Sequence, residues 1–196
     1  MRLFWTFVTD LGDSAVTLPL AALVLIFLLF ARDWQTTRAW IAMIAGCVVA
    51  IGALKLAFIG CGNRLEFGGI VTPSGHTAIS VAVYLSFARL LGGGAPRSLS
   101  LALYIGAALL VIGIGVSRLL LNVHDLGEVI IGFAVGIAGH IIFWIGAGRR
   151  NSPLPVTIMA ISAIVLIGAR HGTRWDLEPR LHHIAAWLRF TVPWCR

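Results

Sequence analysis

Charged residues are scarce in this sequence. They account for 12% of its 196 residues, whereas hydrophobic residues account for 59%. In a soluble globular domain about a quarter of the residues are charged. The shortage of charge therefore excludes an ordinary soluble domain and predicts an integral membrane protein.

The sequence also lacks polar linkers, internal repeats and regular alternation of apolar and polar residues. Continuous apolar runs indicate helices, because an isolated strand in lipid would leave its backbone groups unpaired. Six runs are long enough, or nearly so, to cross a hydrocarbon core of roughly 30 Å. They are 14–31, 39–58, 73–91, 98–116, 126–147 and 155–169. We predict an all-α fold: a polytopic transmembrane helical bundle of about six spans within residues 1–170.

The two ends of the chain differ from these runs. Residues 1–13 are too short and too charged to span, and we expect them at the membrane interface. The first long run is followed by Arg32 instead of a small-residue cleavage site, so we expect no cleavable signal peptide. Residues 171–196 place leucines and isoleucine at helical spacing among basic residues. They predict an amphipathic cationic C-terminal tail on the membrane surface, with a loosely ordered cationic tail as the alternative.

Acidic residues and lysine are few as well. The 15 basic residues include a single lysine and outnumber eight acidic residues, which gives a net charge of +7. The arginines are split between both faces of the predicted bundle, so anionic lipid headgroups explain them better than nucleic acid does. The loops after the first, third and fifth runs carry Arg32, Arg38, Arg89, Arg97, Arg149 and Arg150. By the positive-inside rule those loops are cytoplasmic, and the opposite loops face the periplasm of a bacterial inner membrane.

Cysteine is equally rare, with three residues. Cys47 lies inside the second run and is expected to be a small core residue. Cys61 and Cys195 would share the periplasmic face, where a disulfide between them is a hypothesis. His171, His182 and His183 have no carboxylate or cysteine at ligand spacing, so we predict no metal site and no cofactor.

The most informative stretch is Pro-Ser-Gly-His, which begins at Pro73 as a polar loop gives way to the third run. Pro73 suits a first helical position, and Thr72 is the predicted N-cap. The N–H groups of Ser74, Gly75 and His76 would then lack intrahelical partners at the positive end of the helix dipole, an arrangement that favours a phosphate. On their own, these residues equally describe the polar end of a capped membrane helix.

Hairpin topology places four more candidates at the same end of the bundle. Lys55 is near the end of the second run, Arg64 is in the loop after it, Arg118 ends the fourth run and His124 precedes the fifth. Three cations and two imidazoles around a helix N-terminus suit a phosphoryl group, whose transition state spreads negative charge over its oxygens. One imidazole can attack phosphorus while the other protonates the departing oxygen. Taken singly, Lys55 also fits a snorkelling lysine.

In this order the residues resemble the phosphatidic acid phosphatase type 2 superfamily, whose pattern is Lys-x6-Arg-Pro, Pro-Ser-Gly-His and Ser-Arg-x5-His-x3-Asp. The second block matches in full, and the third matches from Ser117 through His124. The resemblance covers about residues 55–128. Two features depart from the pattern. Eight residues separate Lys55 from Arg64, with Leu65 in place of proline, and Glu128 stands where the family has aspartate.

The resemblance implies a metal-independent membrane lipid phosphatase that works through a phospho-histidine. His124 would be the nucleophile and His76 the general acid. The phosphate oxygens would be held by Lys55, Arg64, Ser74, Gly75 and Arg118. Relatives with this architecture act on phosphatidic acid, phosphatidylglycerol phosphate, isoprenyl diphosphates or lipid A phosphates.

Glu128 has two open interpretations. It can orient the His124 imidazole, with one more methylene than the family's aspartate. Alternatively, Asp125 and Glu128 form a capping box at the start of the fifth helix, and Asp125 is then the reserve partner of His124. The matching spacing favours the catalytic interpretation. His140, deep in the fifth run, is expected to be a packed or hydrogen-bonded helix residue.

Two functions therefore stay open. The first is a hydrolase that removes phosphate from a membrane lipid at the outer surface. The second is a non-catalytic lipid-phosphate binder or transporter whose chemistry the change to Glu128 has impaired, with a phosphoryl transferase as a variant. In either case the expected partners are a lipid phosphate and the bilayer.

Overall fold

The computed structural model describes residues 1–61, 72–148 and 155–175 of the chain. Within these ranges every regular element is an α-helix, which confirms the prediction of an all-α bundle. The helices are α1 (Arg2–Asp10), α2 (Ser14–Phe30), α3 (Trp34–Cys61), α4 (Gly75–Gly92), α5 (Arg97–Leu120), α6 (Leu126–Gly146) and α7 (Val156–Arg170).

Acidic caps set the first residues of α2 and α3. The Asp13 carboxylate accepts a hydrogen bond from the Ala15 N–H (2.8 Å), and the Asp33 carboxylate accepts one from the Thr36 N–H (3.2 Å). These bonds satisfy donors that have no partner inside the helix. Because of its cap, α3 starts at Trp34, five residues before the apolar run that we used to predict it.

α4 is the central helix of the bundle. Of its 18 residues, 13 are buried, among them Ser80 and Ser86. It packs most extensively against α5 and α6, and it also contacts α2 and α3. Helix α4 can therefore carry more polar residues than a lipid-facing helix, since neighbouring helices surround it.

Glycines on one face of α6 bring it close to α4. A Cβ added at Gly132 would lie 2.6 Å from the carbonyl oxygen of Ser74, and Gly136 approaches Ala78 one turn further along. Such small residues allow helix backbones to approach closely in membranes. The first turns of α4 and α6 are therefore held side by side.

Four stretches of the described chain are long and apolar enough to cross a membrane: Arg2–Phe30, Trp34–Ile59, Arg97–Leu120 and Leu126–Gly146. The more polar α4 lies inside the bundle, and α7 is a shorter apolar helix of 15 residues. At 1.5 Å per residue, α7 is about 22 Å long. The helices thus form a membrane bundle of about the predicted size.

The end of α7 lies beside the start of α2. The Arg170 side chain donates from Nε to the Ala15 carbonyl oxygen (3.3 Å), and the two helices pack together. Residues 176–196 lie outside the described part of the chain, so the amphipathic tail stays a prediction. The Cys61 side chain and Cys195 are outside it too, which leaves the disulfide a hypothesis, whereas Cys47 is a buried free thiol as expected.

Candidate active site

Helix α4 begins two residues later than predicted. Ser74, not Thr72, is the N-cap, and Pro73 precedes the helix. The cause is α6: the Glu128 carbonyl oxygen accepts the Ser74 N–H (3.1 Å), and the Glu128 carboxylate accepts the Thr72 N–H (2.6 Å). The first-turn donors left for an anion are therefore the N–H groups of Gly75 and His76.

Lys55 lies against this first turn. It is buried, with 6% of its surface exposed, and its Cε is 3.7 Å from the position that a Cβ on Gly75 would take. The absence of a side chain at Gly75 thus leaves Lys55 next to the α4 backbone. An ammonium group and open N–H groups together form a positive, largely desolvated surface.

The His124 imidazole is bonded to the Glu128 carboxylate. Nδ1 of His124 is 2.6 Å from Oε2 of Glu128, and both side chains are almost fully buried. The same Oε2 accepts the Asp125 N–H (3.3 Å), and Glu128 completes a capping box with Asp125 at the start of α6. Glu128 thus makes both the contact with His124 and the capping box, and the bond to His124 comes from Glu128 and not from Asp125.

This pairing defines which ring nitrogen is available. A carboxylate accepts a hydrogen bond from Nδ1–H, so the lone pair of neutral His124 is on Nε2. Burial lowers the pKa of His124, and the positive charges of Arg118 and Lys55 lower it further, against the opposing effect of Glu128. The lowered pKa favours the neutral ring, the state in which an imidazole nitrogen can act as a nucleophile.

Arg118 completes the cationic side of the site. Only 9% of its surface is exposed, and its Nη1 donates to the Thr9 hydroxyl of α1 (3.2 Å). The backbone carbonyl of Arg118 accepts the N–H groups of Val123 and His124, at 3.0 and 3.3 Å. The turn between α5 and α6 thus holds Arg118 and His124 together.

A cavity of about 810 Å³ opens over Arg118 and His124. Its described lining includes the polar Arg118, His124 and Glu128 and the apolar Leu119 and Val123. A volume of this size matches that of ordinary ligand pockets. The mixed lining suits a molecule with an anionic group attached to an apolar body.

His76 projects from the first turn of α4 towards the start of α2. Its Nε2 is 3.1 Å from Oδ2 of Asp13, which is buried. Sequence reasoning missed Asp13, because it placed residues 1–13 in an interfacial segment without a role in the site. The topology could have predicted this proximity, since the start of the first span lies at the same end of the bundle as the start of the third.

The structure thus brings six of the predicted residues to one end of the bundle: Lys55, Ser74, Gly75, Arg118, His124 and Glu128. His76 is at the same helix start, on the side of α2. Arg64 lies outside the described residues. His140 is hydrogen-bonded to the Ser86 hydroxyl (2.9 Å), as expected of a packed helix residue. Within the described ranges, no group of three or more His, Cys, Asp or Glu residues is arranged to hold a metal ion.

Comparison with known proteins gives a family and a relative. The sequence model of the PAP2 superfamily matches residues 58–152. An uncharacterized 22.5 kDa protein in the cps region of Klebsiella pneumoniae is 33% identical over 172 residues, which cover 83% of this chain and 79% of that protein. No solved structure matches the chain.

Proposed function

This chain belongs to the PAP2 superfamily of phosphatases and phosphotransferases, and we propose that it is a membrane lipid phosphatase acting through a phospho-histidine on His124. The observation that carries the proposal is the 2.6 Å contact between Nδ1 of His124 and the buried Glu128 carboxylate. It directs Nε2 of a neutral imidazole away from Glu128, beside two buried cations.

The first step transfers the phosphoryl group to the enzyme. Nε2 of His124 attacks phosphorus and forms an N–P bond while the bond from phosphorus to the lipid oxygen breaks. The departing oxygen takes a proton from His76, which leaves the lipid as an alcohol, or as a phosphate if the substrate is a diphosphate. Glu128 keeps accepting the hydrogen bond from Nδ1–H of His124 and stabilises the positive charge that develops on the ring.

The second step releases inorganic phosphate. A water molecule attacks the phospho-histidine, giving up a proton to His76, and the N–P bond breaks. Both histidines then return to their starting states. Throughout, Lys55, Arg118, predicted Arg64 and the N–H groups of Gly75 and His76 would hold the phosphoryl oxygens, whose charge is greatest in the transition state.

The surroundings of the cavity support a lipid substrate. Val123 and Leu126, at the turn beside His124, are 49% and 61% exposed, and the helices they join are apolar. A lipid can keep its tails against such a surface while its phosphate reaches the cations. We propose a phosphomonoester or diphosphate of a lipid, of the phosphatidic acid, phosphatidylglycerol phosphate or isoprenyl diphosphate type, hydrolysed at the periplasmic face of a bacterial inner membrane.

Purified protein incubated with a panel of lipid phosphates tests the proposal. We expect phosphate release that continues in excess EDTA, because no step uses a metal ion. His124→Ala and His76→Ala should each reduce release to background, while His140→Ala, a histidine of α6 outside the site, should retain it. Acid quenching should trap phosphate on histidine in the native protein but not in His124→Ala. Normal turnover by purified His124→Ala would refute the mechanism, and tight lipid-phosphate binding without turnover would favour the non-catalytic binder.

A further inference from the structure

Asp13 is a buried acid outside every motif of the sequence, and both of its carboxylate oxygens are engaged. Only 4% of its surface is exposed. Oδ1 accepts the N–H groups of Ala15 (2.8 Å) and Trp175 (3.1 Å), and Oδ2 is 3.1 Å from Nε2 of His76. One local backbone donor and one from the segment after α7 thus hold the carboxylate with its second oxygen towards His76.

The segment after α7 fixes this arrangement. Nε of Arg174 donates to Oδ1 of Asp10 (2.8 Å), and Nε2 of His171 lies 3.1 Å from the Phe7 carbonyl oxygen. These contacts tie residues 170–175 to α1 and to the turn before α2. These contacts with the segment after α7 therefore hold Asp13 in place, although it lies near the N-terminus.

The contact also selects the reactive nitrogen of His76. A ring that donates Nε2–H to a carboxylate presents Nδ1 to other partners. In the doubly protonated ring both nitrogens are donors, so Nε2–H can stay on Asp13 while Nδ1–H faces a substrate oxygen. The His76 side chain is 24% exposed, compared with 6% for Asp13, so the ring is accessible and its partner is not.

We propose that Asp13 is the positioning residue of the general acid: it holds His76 through Nε2 so that Nδ1 protonates the leaving oxygen. This inference rests on the proposed function. As the bond from phosphorus to that oxygen breaks, the proton moves from Nδ1 to the oxygen, and Asp13 keeps the hydrogen bond to Nε2 without gaining a proton. Each of the two proposed catalytic histidines then has its own buried carboxylate, Asp13 for His76 and Glu128 for His124.

Asp13→Asn is the decisive variant, since it separates the cap from the charge. Asparagine is as good an N-cap as aspartate, and its amide oxygen can still accept the Ala15 and Trp175 N–H groups. Its NH2 group would face Nε2 of His76 and donate to it, which conflicts with a proton on that nitrogen. The variant should therefore fold but favour a His76 ring without a proton on Nε2, whereas acid catalysis needs the doubly protonated ring.

The readout is the dependence on the leaving group. An alkyl phosphate such as dioctanoyl phosphatidic acid needs its leaving oxygen protonated, whereas 4-nitrophenyl phosphate leaves as a stable anion. We expect Asp13→Asn to lower kcat/KM for the phosphatidic acid about 100-fold and to change that for 4-nitrophenyl phosphate less than threefold. Asp10→Asn, the matched control, removes the charge of a buried acid but keeps an oxygen that can accept the Arg174 N–H, so it should leave the ratio of the two substrates unchanged.

Further variants and outcomes test the inference. Adding Asp13→Asn to His76→Gln should cause no additional loss with the phosphatidic acid, because both changes remove one function. If Asp13→Asn does not accumulate, Asp13→Ser keeps a capping oxygen and should show the same selective loss. If Asp13→Asn lowers kcat/KM equally for both substrates, or lowers it for neither, the inference is overturned. Wild-type protein that releases phosphate from neither substrate would overturn the proposed function together with it.

Discussion

Glu128→Gln tests the pairing on which the proposed chemistry depends. From the described residues, the Glu128 carboxylate accepts at least three N–H groups: Thr72 N–H at 2.6 Å, His124 Nδ1–H at 2.6 Å and Asp125 N–H at 3.3 Å. An amide offers one oxygen and one NH2 group, so at least one of these donors would face another donor. The variant also loses the negative charge opposite His124.

The size of the effect follows from that geometry. A hydrogen bond to a charged group contributes about 1.5–3 kcal/mol, and it strengthens as His124 becomes positive during attack on phosphorus. Since about 1.4 kcal/mol corresponds to a tenfold change in rate, kcat should fall by about 10- to 150-fold. Phosphate release from a lipid phosphate gives kcat, and thermal unfolding in detergent shows whether the purified variant is folded.

Asp125→Ala is the control that separates capping from catalysis. Asp125 is the N-cap of α6, and losing a cap costs about 0.5–2 kcal/mol of stability. We expect Asp125→Ala to lower the unfolding temperature while kcat stays within threefold of the native value. If Asp125→Ala loses as much kcat as Glu128→Gln does, Glu128 acts only through the helix start and the reasoning is refuted.

Three other predictions follow from the same site. Glu128→Asp should reduce phosphate release, because its carboxylate is withdrawn from His124 by about one C–C bond, or 1.5 Å; increased release would support an impaired site. Because the pKa of His124 is lowered, its neutral form persists below pH 6.5, the ordinary pKa of histidine. The acid limb of the kcat/KM profile should therefore lie below pH 6.5. An acid limb above that pH would contradict a buried neutral nucleophile. Gly132→Ala should lower stability by about 1–3 kcal/mol and also reduce activity, since its Cβ would lie 2.6 Å from the Ser74 carbonyl oxygen; Gly52→Ala, which meets open space, should do neither.

The first residue of α4 could not be predicted from the neighbouring sequence. Thr72 is a residue type that caps helices, and Pro73 suits a first helical position. The sequence alone therefore placed the N-cap at Thr72. In the structure, Glu128 takes the N–H groups of Thr72 and Ser74, and the helix begins at Gly75. Glu128 is more than 50 positions away from Thr72 and Ser74. A pattern of neighbouring residues therefore cannot predict that it competes with a local cap.

The membrane class, the helical architecture and the end of the bundle that carries the candidate site were accessible from the sequence alone. Each depends on properties that neighbouring residues share, namely continuous hydrophobicity and the alternation of direction in a helical hairpin. Only the tertiary structure paired Asp13 with His76 and showed that Glu128 both bonds to His124 and caps α6. Such contacts depend on the distance between helices, which is set by how closely glycine-bearing faces pack, and hydropathy along one chain contains no information about that distance.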